Sequence, residues 1–262
     1  MEGGCLVKGS IDINVDLGEG FGRYRLGEDE ALLPWVTSAN IACGYHAGDP
    51  QVMGRAVALA KTHNVAVGAH PGLPDLLGFG RREMRVSASD VYHMTVYQVG
   101  ALLAFTRAHQ VRLHHVKPHG ALYNMAERDP ALAEALAQAV VDVDPTLVLY
   151  ALAGGLLAKA GREQGLVVAE EVFADRTYQA DGKLTPRTHP QAVITDPAEA
   201  VAQVLTMIKE GVVETLDGGK HPIQADTVCL HGDHPHAPAL ARALHRRLQA
   251  AGIMVKTVGK VR

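Results

Sequence analysis

Ser10-Ile-Asp-Ile-Asn-Val-Asp16-Leu-Gly-Glu-Gly20 is the stretch that decides how the rest of the chain is read. A β-branched and apolar run ends in a turn that carries two carboxylates. An open, doubly wound sheet binds its nucleotide at a glycine-rich first turn, and Asp16-Leu-Gly-Glu-Gly20 matches neither G-x-G-x-x-G nor a P-loop. In a barrel, functional residues come instead from the ends of many strands.

The rest of the chain repeats this pattern. Short apolar runs at 38–43, 66–69, 113–117, 147–151, 167–172 and 227–230 follow the first at 10–16, and an eighth lies at 253–258. Helical segments at 50–63, 88–109, 130–141, 155–164, 197–210 and 238–251 separate them. Asp49-Pro50, Asp129-Pro130 and Asp196-Pro197 each set an acidic cap before a proline at the first helical position. Gly165 and Gly252 stand where helices close. Regular alternation of this kind implies parallel strands covered by helices. The break at 211–225, where Asp217-Gly218-Gly219 lies between extended stretches, reads as a small inserted hairpin. The expectation is one α/β barrel domain over residues 1–262.

Composition narrows the function. The 262 residues are 47% hydrophobic and 20% charged, with a net charge of −3. No basic stripe is present, so nucleic acid is not an expected partner. No apolar run approaches the roughly 20 residues that span a bilayer, so no membrane association is expected. Cys5, Cys43 and Cys229 form no C-x-x-C pair, which points to reduced thiols and a soluble, cytoplasmic protein. Cys43 and Cys229 read as small core residues.

Fourteen histidines are many for this length, and their positions matter more than their number. Six of the seven strand candidates run into polar clusters. The first gives Asp16 and Glu19. The second gives Asn40 and then Cys43-Gly-Tyr-His46-Ala-Gly-Asp49. His70 follows the third, and Lys117-Pro-His119 the fourth. The sixth ends in Glu170 and Glu171, then Asp175 and Arg176, and the seventh in His231-Gly-Asp233. The exception ends in Gly154-Gly155 at a helix start, where backbone N–H groups could hold an anion, although a tight turn is the better reading of the pair.

Alternation places His115, Lys117 and His119 on one face and His114 on the other. His114 reads as a structural or surface histidine, and His234 and His236 as exposed loop residues. Glu170 and Glu171 point opposite ways, and Glu171 is taken as the one that serves the site. Asp233 competes with a capping role for the helix after it. Convergence of this kind is hard to obtain from packing alone, so an active site is expected at the strand ends.

At this point the motifs resemble the LamB/YcsF family. The matching segments are Asp12-Ile-Asn14-Val-Asp16-Leu-Gly-Glu19, Ala39-Asn40-Ile-Ala-Cys-Gly-Tyr-His46-Ala-Gly-Asp49 and Gly68-Ala-His70-Pro. They continue with Gly78-Phe-Gly-Arg81-Arg82, Val116-Lys117-Pro-His119-Gly-Ala-Leu-Tyr123, Glu171-Val-Phe-Ala-Asp175-Arg176-x-Tyr178 and Cys229-Leu-His231-Gly-Asp233. The resemblance implies a seven-stranded parallel (β/α) barrel of the glycoside hydrolase/deacetylase type. It also implies ATP-dependent opening of 5-oxoproline to glutamate together with two partner proteins, subunits B and C.

That chemistry needs cations near phosphate, a base for water and an acid for nitrogen. Lys117 and Arg176 are candidates for charge stabilisation, and Asp16, Glu19, His119 and Asp175 for proton transfer. Asn40, His46, Glu171 and Asp233 are candidates for substrate contact. ATP is expected to arrive with magnesium, and a further divalent ion could sit on Asp16, His46, His70 and His231. A stand-alone metal-dependent deacetylase or amidase, and a non-catalytic small-molecule-binding protein of the complex, are the competing readings.

Overall fold

A computed structural model describes residues 9–232 and 237–259. In chain order its strands are β1 (Ser10–Leu17), β2 (Ser38–Ala42), β3 (Ala66–His70), β4 (Leu113–Val116), β5 (Val148–Leu152) and β6 (Val167–Phe173). They continue with β7 (Val212–Glu214), β8 (Lys220–Pro222), β9 (Thr227–Leu230) and β10 (Met254–Val255). The helices are α1 (Asp29–Leu32), α2 (Pro50–Thr62), α3 (Ala88–Ala108), α4 (Gly120–Ala126), α5 (Pro130–Val143), α6 (Leu156–Glu163), α7 (Pro197–Glu210) and α8 (Ala237–Ala250).

Seven strands pair in parallel in the order β1-β2-β3-β4-β5-β6-β9, and β9 returns to β1 to close the ring. The barrel expected from strand–helix alternation is therefore present, with its helices on the outside. The run at 253–258 is not an eighth stave. It shortens to β10, which pairs only with Ser10 and Ile11 at the start of β1. Residues 211–225 contain the antiparallel pair β7–β8, with Val213 opposite His221. No helix among the described residues is long and apolar enough to cross a membrane.

The capping prolines act as local chemistry dictates. The side chain of Asp49 accepts from Gln51 N and Val52 N, that of Asp129 from Ala131 N, and that of Asp196 from Ala198 N. Each satisfies N–H groups that the first helical turn cannot. Helix α4 follows directly on Pro118-His119 and was not evident from the chain, because its seven residues are too few to show a helical period.

Strand alternation sorts β1 into two faces. Ile11, Ile13, Val15 and Leu17 are buried in the apolar layer between strands and helices. Asp12, Asn14 and Asp16 point into the barrel, which is filled by a hydrogen-bonded polar column. At its floor Asp12 accepts from the hydroxyls of Thr37 (2.5 Å), Ser38 (2.8 Å) and Thr227 (2.6 Å). The next layer joins Asn14, Asn40, His115 and Glu171. Gly68 makes this layer possible, because a Cβ there would lie 2.1 Å from His115 Nε2. The imidazole therefore crosses the barrel, stacks on Tyr150 at 4.1 Å and reaches Asn40 Oδ1 at 2.8 Å.

Candidate active site

The column's top layer opens into a cavity of about 420 Å³ at the C-terminal ends of the strands, lined by Asp16, His70, Lys117, His119, Arg176 and His231 among others. A larger hollow of about 820 Å³ lies between residues 20–31 and α2, and its lining holds no histidine, lysine or cysteine. The histidines and the buried lysine of the strand ends line the smaller one.

Lys117 is the centre of the mouth. It lies one residue beyond β4, and its backbone N–H still donates to Ala69 O at 2.9 Å, so its direction is set by the sheet. Its ammonium, 3% exposed, donates to Asp16 Oδ1 (3.0 Å), Asn14 Oδ1 (3.1 Å) and Cys229 Sγ (2.9 Å), and lies 3.0 Å from Glu171 Oε1. Burial alone would lower its pKa, but the carboxylates of Asp16 and Glu171 outweigh it and hold the group well above the usual lysine value. It is a permanent cation and no base. Asp16 answers it: burial pushes its carboxyl up, but His70 and Lys117 pull it well below the ordinary range.

Acceptor-only carboxylates fix every amide in this layer. Asn14 Nδ2 donates to Glu171 Oε1 at 3.0 Å and to Thr227 Oγ1 at 2.7 Å, which leaves Asn14 Oδ1 for Lys117 and for Asn40 Nδ2 at 2.7 Å. Asn40 Nδ2 also reaches Asp16 Oδ1 at 3.0 Å. Glu171 Oε2 takes the Tyr123 hydroxyl at 2.8 Å. Asn40, Glu171, Asp16 and Lys117 thus form one connected network. Asn14 and Tyr123 belong to it although neither was among the candidate site residues; both stand in the segments that match the family, and Asn14 also shares a two-residue spacing with Asp12 and Asp16.

Along the β2–β4 arc stand His46, His70, His119 and Glu19. His46 Nε2 lies 3.4 Å and His119 Nδ1 3.7 Å from Glu19 Oε1, and His70 Nε2 lies 3.3 Å from Asp16 Oδ1. Burial, with neighbouring imidazoles adding to it, holds His46 and His119 well below the usual histidine pKa, so both are neutral. The loop after β3 that carries the cluster is pinned by Gln98, which exchanges two 2.9 Å hydrogen bonds with the backbone of Gly72.

The opposite arc is arranged differently from the one just described. His231 does not join His46 and His70. Its Nδ1 donates to Asp175 Oδ2 at 2.9 Å, and its Nε2 lies 2.9 Å from the Arg187 guanidinium, which only donates. One donor atom each of Glu19, His46, His70 and His119 falls into one group within 4.8 Å, and of Asp16, Cys229 and His231 into another, so the four-residue set Asp16, His46, His70 and His231 is divided.

Arg176 lines the cavity and gives two of its donors to backbone, reaching Thr185 O at 2.5 Å and Ala192 O at 3.1 Å. Burial lowers its pKa to about 10. It ties down the 185–192 loop. Cys229 is buried as expected but touches an ammonium, and burial keeps its thiol protonated.

Gly154-Gly155 make the tight turn that the sequence favours, with Gly155 N–H donating to Leu152 O at 2.9 Å. Gly154 N–H donates to Glu170 Oε2 at 2.6 Å and Leu156 N–H to Glu127 Oε2 at 2.7 Å. Carboxylates of the chain itself already occupy the anion position at the start of α6. Glu170 is committed there, and Glu171 is the one that faces the barrel interior. Asp233, His234 and His236 lie outside the described residues.

Burial pushes the Glu127 carboxyl up to about 7 from 4.5. The folded chain therefore holds this proton more tightly than the unfolded one. The resulting stabilisation is complete below pH 4.5 and is lost as pH rises to about 7, a change of roughly 3 kcal/mol. Glu127→Gln keeps the carbonyl acceptor and should flatten the stability profile across that window, measured by urea midpoints. A slope equal to that of the wild type would show that the carboxyl does not titrate there.

The LamB/YcsF family matches residues 11–262. The chain belongs to the LamB/YcsF family. LamB/YcsF relatives include proteins named as the A subunit of 5-oxoprolinase. The one from Geobacillus thermodenitrificans (strain NG80-2) is 59% identical over 96% of this chain and 98% of the relative, and the one from Bordetella pertussis is 57% identical over 94% and 98%. A solved LamB/YcsF-like structure, the lactam utilization protein from Thermus thermophilus, superposes with a TM-score of 0.90 at 50% identity, covering 94% of this chain and 99% of that one. The catalytic domain of a peptidoglycan N-acetylglucosamine deacetylase from Eubacterium rectale, 12% identical with a TM-score of 0.53, shares the fold alone.

Proposed function

We propose that the chain is the lactam-opening component of an ATP-dependent 5-oxoprolinase, converting 5-oxo-L-proline to L-glutamate with ADP and phosphate as co-products. It acts with subunits B and C in the cytoplasm, where its buried thiols Cys43 and Cys229 stay free. The names of its relatives and the lactam-utilization neighbour support the substrate class.

The observation that carries the reading is the Lys117 ammonium, fixed by Asp16, Asn14 and Glu171 beneath the mouth cavity. A five-membered lactam is an unstrained amide. Phosphoryl transfer from ATP to its oxygen makes the ring carbon electrophilic, water adds there, and the protonated ring nitrogen departs as an amine. The acyl phosphate left behind hydrolyses to the carboxylate and phosphate.

Lys117 offsets the negative charge that collects at the substituted oxygen. Asp16, held ionised, keeps the ammonium in place. The Glu19, His46, His70 and His119 group orients water, and the Asp175–His231 pair, once Arg187 releases Nε2, takes up on Nε2 the proton that water gives up and delivers it to the ring nitrogen. Asn40 and Glu171 position the substrate from below. Nucleotide binding, with magnesium, falls to the partner proteins, since carboxylates already hold the amides at the start of α6.

Glutamate and ADP formed from 5-oxoproline, with this chain alone and then with subunits B and C, test the reading. Turnover is expected only from the complete set, with ADP equal to glutamate. Ring opening by the chain alone without ATP would favour the amidase reading, which the His/Glu cluster also supports.

A further inference from the structure

The three imidazoles at the β2–β4 arc have a donor–acceptor conflict that they do not resolve among themselves. His70 Nδ1 lies 2.7 Å from the carbonyl oxygen of Lys117, and His119 Nε2 lies 2.8 Å from that of Phe79. A carbonyl only accepts, so each ring carries a proton on that outer nitrogen. With both rings neutral, the inner nitrogens, His70 Nε2 and His119 Nδ1, both present lone pairs, and they face each other at 3.0 Å. His46 adds a second anomaly. It is fully buried, and neither ring nitrogen has a hydrogen-bond partner among the described residues.

Gly72 lies against this ring, where a Cβ would come within 2.6 Å of His46 Nδ1, so no side chain can be placed there to satisfy it. The Glu19 carboxylate completes the group, with one donor atom from each of the four residues within 4.8 Å of the other three.

Converging lone pairs and an anion, with the outer nitrogens anchored on backbone carbonyls, are the arrangement in which proteins hold metal ions. We propose that Glu19, His46, His70 and His119 bind one divalent transition-metal ion, with zinc the best match to an imidazole and carboxylate donor set.

The rings also say how the site forms. His70 and His119 cross at 86° with their inner nitrogens a ligand–ligand distance apart, and they are the fixed pair. His46 stacks parallel to His119, with centroids 3.7 Å apart and planes 2° from parallel, so one ion cannot lie in both ring planes. His46, which no hydrogen bond ties, is the ring that turns to complete the site.

The competing arrangement is a proton on His70 Nε2, shared with His119 and balanced by Asp16 at 3.3 Å. It leaves His46 as it is. The ion's role in activating water rests on the hydrolase reading; its binding does not.

The test is metal content and thermal stability of the full chain, stripped with chelator and dialysed separately against zinc, cobalt and manganese chlorides. The expected result is one bound ion per chain and a raised Tm. His70→Gln and His119→Gln should weaken binding by more than the ~100-fold that loss of an outer partner alone produces. His46→Gln should weaken it less, and His93→Gln, on α3, not at all. The cobalt form should show the visible bands of a nitrogen-ligated ion, which the His119→Gln protein lacks.

Circular dichroism identifies any variant that fails to fold, and the cobalt spectrum of the wild type then decides the matter without it. Binding of none of the three ions in whole-number amount overturns the proposal, as does equal binding by the folded His70 and His119 variants. A His70 ring carrying both N–H protons under saturating zinc, seen by NMR, also overturns it. None of these readouts uses turnover, so the hydrolase reading stands or falls separately.

Discussion

Lys117→Met should lower turnover of the assembled enzyme by about 10²–10³-fold, the usual loss when one preorganised charge contact to a developing anion is removed. The same substitution should weaken the fold. Asp16 and Glu171 both pair with this ammonium inside the barrel, and removing one partner of a buried pair costs about 3–5 kcal/mol. A catalytic lysine and a structural one are therefore not alternatives here, because the same ammonium holds the carboxylates that aim it. Urea unfolding and turnover on one preparation report the two effects. Undiminished turnover in a folded Lys117→Met protein would remove the ammonium from the mechanism and leave it only as a brace.

Asp12→Ala should cost stability by roughly 3 kcal/mol, since each buried hydroxyl left without an acceptor costs about 1–3 kcal/mol. Asp12 accepts from three hydroxyls and is wholly buried. It does not reach the mouth cavity, so any Asp12→Ala protein that folds should retain turnover once correctly assembled. Asp12→Asn, which keeps one acceptor oxygen, should cost less. A denaturation midpoint for Asp12→Ala close to the wild type would mean that water or rearranged hydroxyls satisfy the floor of the barrel.

The fold was legible because its signals are local. Strand–helix alternation and the three Asp-Pro caps are each contained within a few residues, and the absence of a phosphate-binding turn after β1 separated a barrel from an open sheet. That polar strand ends would gather at one rim was legible too, since the strands of a parallel barrel all end on the same side.

How they would pair was not. His231 and His119 both follow strands, yet ring order puts His231 beside Asp175 and His119 beside His70 and Glu19. That neighbourhood exists only after closure. Glu127 reaches the first turn of α6 from 29 residues upstream, and Arg176 bonds a loop up to 16 residues downstream. Neither contact leaves a mark on the residues around it. Cys229 looked like an ordinary core thiol because its partner, Lys117, lies 112 residues away.

Ring closure through β1 and β9 has a consequence for the chain as it is made. Asp12 pairs with Thr227 and Val15 with Leu230, across more than two hundred residues. Contacts so distant repay their loop-closure entropy only when both ends are present, which places this protein among slow-folding topologies. On the ribosome β1 emerges first and waits, with one edge unpaired, until β9 follows almost the whole chain later. The Asn14–Thr227 bond and the placing of Cys229 against Lys117 belong to that final step. A nascent or truncated chain can hold helices and most of a sheet, yet the seat for the ammonium is assembled last, so an incomplete product is silent.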